Sequence, residues 1–328
     1  MRMLSGALMV VLVSMMVFAV LHVLPIDPVG MSLPPGATEA DRLALQREFG
    51  LDRPAAEQYR NWAGKVLQGD FGRSVNLRRD VGPLVASVLP ATLELVSVAL
   101  LGGIALGVAG GLLLFAVRRT WWEAVGDVAT SVLVSVPDFV WAIAGILLFG
   151  VWLQALPFIG RIDPDNVVPE RTGFMLLDTL VAGRPAAFRD ALAHLVLPAT
   201  ALGITLAPLV TRVLRSSLLG VIVEDFIHLA RLRGLTERQV LTRHALRNAA
   251  LPTLSLVGVQ AGFMFGGTLL VEAIFGWPGL GNLMVLSVRT GDIPVIQAAT
   301  LVYCLGVLLI TLLVDIATLA LNPRLRGL

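Results

Sequence analysis

Apolar runs long enough to cross about 30 Å of hydrocarbon as helices recur along the 328 residues. The first, MRMLSGALMVVLVSMMVFAVLHVLP, has a positive start followed by roughly 20 apolar positions, longer than a signal-peptide core, and no A-x-A site follows. It is expected to stay as a first span over residues 1–26. Five more runs lie at roughly 91–117, 126–156, 191–211, 249–275 and 295–321. In the third, WWEAVGDVATSVLVS reads as an interfacial helix, with Pro137 bending the chain before the span proper. Ala99, Gly103, Gly107 and Gly111 recur every four residues and form a smooth ridge for close helix packing. Pro198 and Pro208 remove backbone donors and are expected to bend or break the fourth span.

The polar stretches between these runs differ in kind. Residues 27–90 form a large insertion with eight basic and eight acidic residues, so it is charge-balanced. Thr38 with Asp41 and a stop at Gly50 outlines one helix, and a second is expected from about Pro54 to Gln68. This lobe is too short for an independent enzyme core.

Residues 230–248, ARLRGLTERQVLTRHALRN, hold five arginines and a histidine between two apolar runs. At roughly 2.5–3.5 kcal/mol for each arginine at a span centre, this block cannot lie in the bilayer core. Glu224 and Asp225 suit a helix start, Gly234 a left-handed cap, and Thr236 with Gln239 a capping box. Two short helices broken at Gly234, tied at each end to a span, are therefore expected. Such a pair could lie on an anionic leaflet, imitate a helix–turn–helix, or dock on a partner protein.

Composition agrees with a lipid-solvated chain. Hydrophobic residues make up 56%, charged residues 15%, and mean hydropathy is +0.82, against about a quarter charged in soluble domains. The net charge of +2 does not call for nucleic acid. Short-loop charges put Arg2, Arg118, Arg119, residues 212–247, Arg324 and Arg326 on one side, read as cytoplasmic with both termini. The lone Cys304 excludes an intramolecular disulfide and C-x-x-C chemistry, and Lys65, the only lysine, stands in no phosphate-binding loop. No catalytic, cofactor or metal motif is present, and His22, His194, His228 and His244 are scattered. Glu272 and Asp315 fall inside spans, where ionisable groups are candidates for function; Glu94 and Asp127 lie close enough to span ends to be solvated.

At this point several segments carry a resemblance. E-D-F-I-x-x-A-R-x-x-G-L-(x)7-R-H-A-L-R-N-A-x-x-P (224–252) resembles the cytoplasmic loop of ABC-importer permeases of the dipeptide/oligopeptide/nickel branch. V-E-A-I-F-G-W-P-G-L-G (271–281), V-D-I-A-T-L-A-L-N-P-R-L-R (314–326), L-P-A-T-A-L-G (197–203), S-V-P-D-F (135–139), G-D-F-G-R-S (69–74) and L-P-A-T-L-E-L (89–95) are similar to the same family. A departure is P-I-D-P at 25–28, where the family commonly has P-G-D-P.

The resemblance implies an all-α polytopic membrane protein of the bacterial inner membrane. Six transmembrane helices would take the type I ABC-importer permease arrangement, with a small external helical insertion (27–90) and a core permease domain (91–328) whose coupling loop covers about 216–248. It implies a paralogous permease, two ATP-binding cassette subunits that bind ATP and Mg, and an extracytoplasmic binding protein. The loop helix would dock on the ATPase through Glu224, Asp225, Phe226, Ala230, Arg231 and Gly234. Short peptides or a related solute would be the cargo. The competing reading is an ion-coupled secondary transporter using Glu272 and Asp315.

Overall fold

The computed structural model describes residues 2–23, 38–40, 43 and 52–321, and among these the regular structure is helical apart from one isolated bridge, Arg73–Asp80. The Asp41 and Gly50 expectations, the P-I-D-P stretch and the arginines at 324 and 326 lie outside the described residues. The principal helices are α1 (Arg2–Val23), α2 (Ala55–Leu67), α3 (Val81–Ala116), α4 (Trp121–Ser135), α5 (Asp138–Trp152, π-helical from Ile146), α6 (Met175–Val181), α7 (Pro185–Val221), α8 (Asp225–Leu232), α9 (Glu237–Phe275), α10 (Leu280–Thr290) and α11 (Ile293–Leu321). Four of them, α3, α7, α9 and α11, are long and apolar enough to cross a membrane; α4 and α5 make a fifth if that bent pair is one span. α1 has 22 residues, about 33 Å at helical rise, with its apolar stretch at Leu8–Val20. Each of the six expected spans thus has a helical counterpart. The third is not straight: α4 and α5 meet at 98°, with Val136 and Pro137 extended between them, as the proline at this point predicts.

The chain forms two compact units. The smaller comprises residues 1–92 and 278–306. Its core is Val81, Val85, Leu280, Leu283, Val295, Ala298 and Ala299. α3 starts at Val81, inside the segment expected to be insertion, because the apolar face that fills this core begins there. The buried Asp292 carboxylate, just before α11, accepts from Ser74 Oγ at 2.5 Å and from the Val75 and Asn76 N–H groups at 3.2 and 3.1 Å. That pins the 73–80 turn to the start of α11. α2 lies against α1 through Phe18, Tyr59 and Trp62, with ring centroids 5.5–6.1 Å apart.

The larger unit, residues 93–277 and 307–328, is built around α7. Some 67% of its apolar window is buried, against 33–39% in the other three long helices, so α7 is the hub. It packs on α4, α5, α6 and α9 and on the glycine ridge of α3. A methyl group added at Gly107 would lie 2.5 Å from Val210 Cβ and 2.7 Å from the Ala207 carbonyl oxygen. Gly103 and Gly111 are nearly as close to Gly203, Leu206 and Leu214. Thr211 Oγ1 donates across the seam to the Gly107 carbonyl at 3.1 Å, a bond worth only about 0.6 kcal/mol inside a membrane. Close backbone approach carries the seam. Of the bend or break expected at Pro198 and Pro208, the break is absent: α7 runs unbroken through both, and both are buried. Packing on four sides supplies what the missing donors cannot.

Charge inside this unit is paired. Glu94, expected to be solvated, is buried; it accepts from Arg161 at 2.5 Å and from the Leu176 N–H at 2.7 Å. Arg161 also donates to the Gly173 carbonyl at 3.0 Å and lies 5.5 Å from the Trp277 ring. The loop 157–174 folds back over α3 and removes water from Glu94, which hydropathy of one segment cannot reveal. Arg215 of α7 holds both Glu123 and Asp127 of α4; Asp127 stays about half exposed, in keeping with a solvated end. Asp178 in the 157–190 segment is buried. Burial alone would raise its carboxyl, but N–H groups of Thr172, Arg171 and Gly173 and the Thr172 hydroxyl outweigh that and hold it below the ordinary value.

Gly107→Ala is expected to destabilise the subunit by about 1–3 kcal/mol through overpacking. Gly102→Ala, whose added methyl meets open space, should be neutral or slightly stabilising. Thermal unfolding of the two purified variants in detergent distinguishes them.

Candidate functional site

The loop between α7 and α9 is rigid because its parts are capped and seated. Glu224 opens α8 with an extended backbone, its carbonyl accepting from the Ile227 and His228 N–H groups at 3.0 and 3.3 Å. At the far end Gly234 has φ +79. Its N–H donates to the Arg231 carbonyl at 2.9 Å and the Leu235 N–H to the Ala230 carbonyl at 3.3 Å, the paired bonds of a Schellman cap. Two residues on, Thr236 and Gln239 make the capping box read from their spacing. α9 then passes through a π-helical turn, Val240–Ala245, before regular helix resumes at Leu246.

The inward face of this loop is a small core of its own. Ile227, Ala230, Val240, Ala245 and Ala249 are buried against Leu214 and Leu218 of α7 and Phe115 of α3. Arg231 spans the Gly234 turn, its Nε 2.7 Å from Glu237 Oε1 and a second nitrogen 3.3 Å from Oε2. That hydrogen bond raises the arginine above its ordinary pKa. The outward face is apolar where water would be expected: Val223 is 69% exposed, Phe226 39%, Leu229 54% and Leu232 84%. Carboxylates of Glu224 and Asp225 stand at its edge.

The structure therefore sorts the six residues singled out in sequence. Glu224, Asp225 and Phe226 are exposed together at the start of α8, and Gly234 is exposed at its end. Ala230 faces inward at 4% exposure, so its small size serves packing within this chain. Arg231 is engaged by Glu237. A methyl group at Gly234 would meet nothing within 4 Å, so within this chain the glycine is required by φ, not by a tight fit. Sequence reasoning passed over Val223, Leu229 and Leu232. Their signal was spacing: with Phe226 they recur every third residue in a loop dominated by charge.

Of the carboxylates weighed for ion coupling, Glu272 is fully buried near the end of α9. The Asp315 side chain lies outside the described residues. No group of three or more His, Cys, Asp or Glu suited to a metal is found among the described residues.

Residues 78–327 match the family described as binding-protein-dependent transport system inner membrane component, and residues 1–96 match its N-terminal companion. The chain is 37% identical over 323 residues to the dipeptide transport system permease protein DppB of Escherichia coli K12, covering 96% of this chain and 94% of that one. It is 36% identical over 318 residues to the di/tripeptide permease DppB of Pseudomonas aeruginosa, with the same coverage of both chains. Identity is 35% over 316 residues to the glutathione permease GsiC of Salmonella choleraesuis, again covering 96% and 94%. A chain of the inward-facing MetNI methionine ABC transporter shares the fold, with TM-score 0.54 at 18% identity over 73% of this chain and 96% of that one. With matching segments that run from end to end and an importer fold, this chain belongs to the inner-membrane components of binding-protein-dependent transport systems and is a permease subunit of an ABC importer.

Proposed function

We propose that this subunit forms half of the translocation pathway for short peptides and is driven through α8 by a separate ATPase. One observation supports the second part above all: an exposed apolar face on a charged loop that is braced at both ends to long helices. Fully burying a Phe or Leu side chain contributes roughly 1.5–3 kcal/mol, so Phe226, Leu229 and Leu232 together offer several kcal/mol to a protein groove. The acidic edge at Glu224 and Asp225 would set the orientation of docking. A lipid surface is the other occupant that the arginines of this loop would suit, and co-purification of the ATPase distinguishes the two. Peptide cargo is supported by the names of the relatives at 36–37% identity.

The assembly proposed is this chain, a paralogous permease, two ATP-binding cassette subunits that bind ATP and Mg, and an extracytoplasmic binding protein. The chain itself has no catalytic role in this reading. It lies in the inner membrane with both termini cytoplasmic, the orientation that its arginine-rich loops favour. The ion-coupled alternative has no support of this kind, since the relatives named above are transport-system permeases.

Native purification with mass spectrometry is expected to recover stoichiometric ATPase chains, and reconstituted vesicles to take up dipeptide only with ATP. Uptake by the isolated chain would overturn the reading. Leu229→Asp is expected to lower ATPase co-purification about tenfold or more, since a desolvated leucine contact of ~2 kcal/mol is lost. Gly234→Val is expected to abolish uptake while the subunit still inserts, because a β-branched residue resists positive φ. Gly234→Asn, which tolerates that conformation, should retain most of it. Normal ATP-dependent uptake by the valine variant would refute the role of the turn.

A further inference from the structure

The two faces of α4 differ. On the inner one Glu123 and Asp127 meet Arg215 of α7, and Thr130 Oγ1 and Ser131 Oγ accept from Arg212 at 3.2 and 2.6 Å. From Glu123 to Ser131 these partners advance about 12 Å along α4, but from Arg215 to Arg212 only about 4.5 Å along α7. α4 therefore lies across α7, and two helices at 98° cannot both follow the membrane normal. Its level is set by α3: Gly126 faces Leu114, in the last turn before α3 ends at Ala116, with no room for a methyl group between them. Phe115 belongs to the core beneath α8, and Arg118 lies near enough to Glu237 to act on its charge. α4 thus sits at the membrane boundary on the side of the α8 loop.

The outer face is apolar. Trp121, Val125, Val128 and Val132 form one stripe at helical spacing, and all are exposed. Trp121 is 63% exposed and Trp122 54%, with their rings stacked at 3.8 Å. The exposed Arg118 and Arg119 stand just before them. Thr120 makes no side-chain cap, its hydroxyl donating instead to the Val117 carbonyl at 2.6 Å, so the positive end of α4 stays open. The carboxylate of this turn, Glu123, is occupied by Arg215 and by the Arg119 N–H. Guanidinium groups suit a phosphate, indoles the headgroup boundary and valines the acyl chains. Together they match the parts of one phospholipid.

We propose that Arg118, Arg119 and the Trp121–Trp122 pair hold the headgroup of an anionic phospholipid, with the valine stripe of α4 on its acyl chains. The bound lipid steadies α4 and, through Arg212 and Arg215, the flank of α7.

The test uses the full complex in phosphatidylcholine nanodiscs, into which brominated phosphatidylglycerol or brominated phosphatidylcholine is titrated. Subtracting the emission of a Trp121→Phe/Trp122→Phe complex isolates the fluorescence of the pair. Half-quenching of that difference is expected at about a tenfold lower fraction of brominated phosphatidylglycerol than of brominated phosphatidylcholine. Arg118→Gln/Arg119→Gln, compared with its own phenylalanine counterpart, is expected to bring the two titrations together while the complex keeps its paralogous permease and ATPase chains. Equal titrations in the wild type, or a preference that survives loss of both arginines, overturns the assignment. So does quenching by neither lipid, which makes a protein subunit the cover of α4, and so does loss of partner chains from the arginine variant. Should the double phenylalanine complex fail to assemble, Trp121→Phe and Trp122→Phe singly supply the same difference.

Discussion

The seam between α3 and α7 is the contact on which the larger unit depends. Lipid tails are as apolar as leucine, so helices in a bilayer gain little by burying apolar faces on each other. What remains is packing, and packing at short range needs small residues. Gly103, Gly107 and Gly111 let the α7 backbone approach until Val210 and Ala207 occupy the volume a methyl group would take. Once that seam is fixed, α7 has a fixed partner on one side and can serve as the surface against which α4, α5, α6 and α9 assemble.

A hub of this kind also carries force. α7 continues without a break from the buried His194 region to Leu218, which lies under the loop helix. Ile227 and Ala230 of α8 rest on the same cluster, and the Arg231–Glu237 pair closes the turn between α8 and α9. Under the proposed docking, a displacement applied to α8 would be passed to two long helices through these contacts. The π-helical turn at Val240–Ala245, where α9 leaves the loop, is the irregular part of that path. Such turns insert a residue without ending the helix, so α9 can change its direction there and keep its length.

How much of this was legible in sequence follows from the range of each interaction. Local chemistry read well: the Gly234 cap, the Thr236–Gln239 box and the bend at Pro137 depend on a few adjacent residues, and all three are present. The glycine ridge was legible because a period of four along one helix is itself a surface. Features that need two distant segments were not. Glu94 read as solvated because nothing near it in sequence points to Arg161, which arrives from a loop beyond α5. Pro198 and Pro208 read as a bend or a break, and the break is absent, because local rules count a missing donor and cannot count four packing neighbours. In the loop, the charges drew attention to Glu224, Asp225 and Arg231, while the apolar positions Leu229 and Leu232 were masked by the arginines beside them, Arg231 and Arg233.

The choice of cation follows the same physics. All but one of the 25 basic residues are arginines, and the exception, Lys65, is exposed on α2. A planar guanidinium presents several donors in fixed directions and is less strongly hydrated than an ammonium. Arg215 can therefore hold Glu123 and Asp127 one turn apart, and Arg161 can hold Glu94 and the Gly173 carbonyl while lying by the Trp277 ring. An ammonium is a compact point charge that would satisfy one of these sets at a time and lose more hydration doing so. Where a buried charge must be permanent, arginine is the economical side chain.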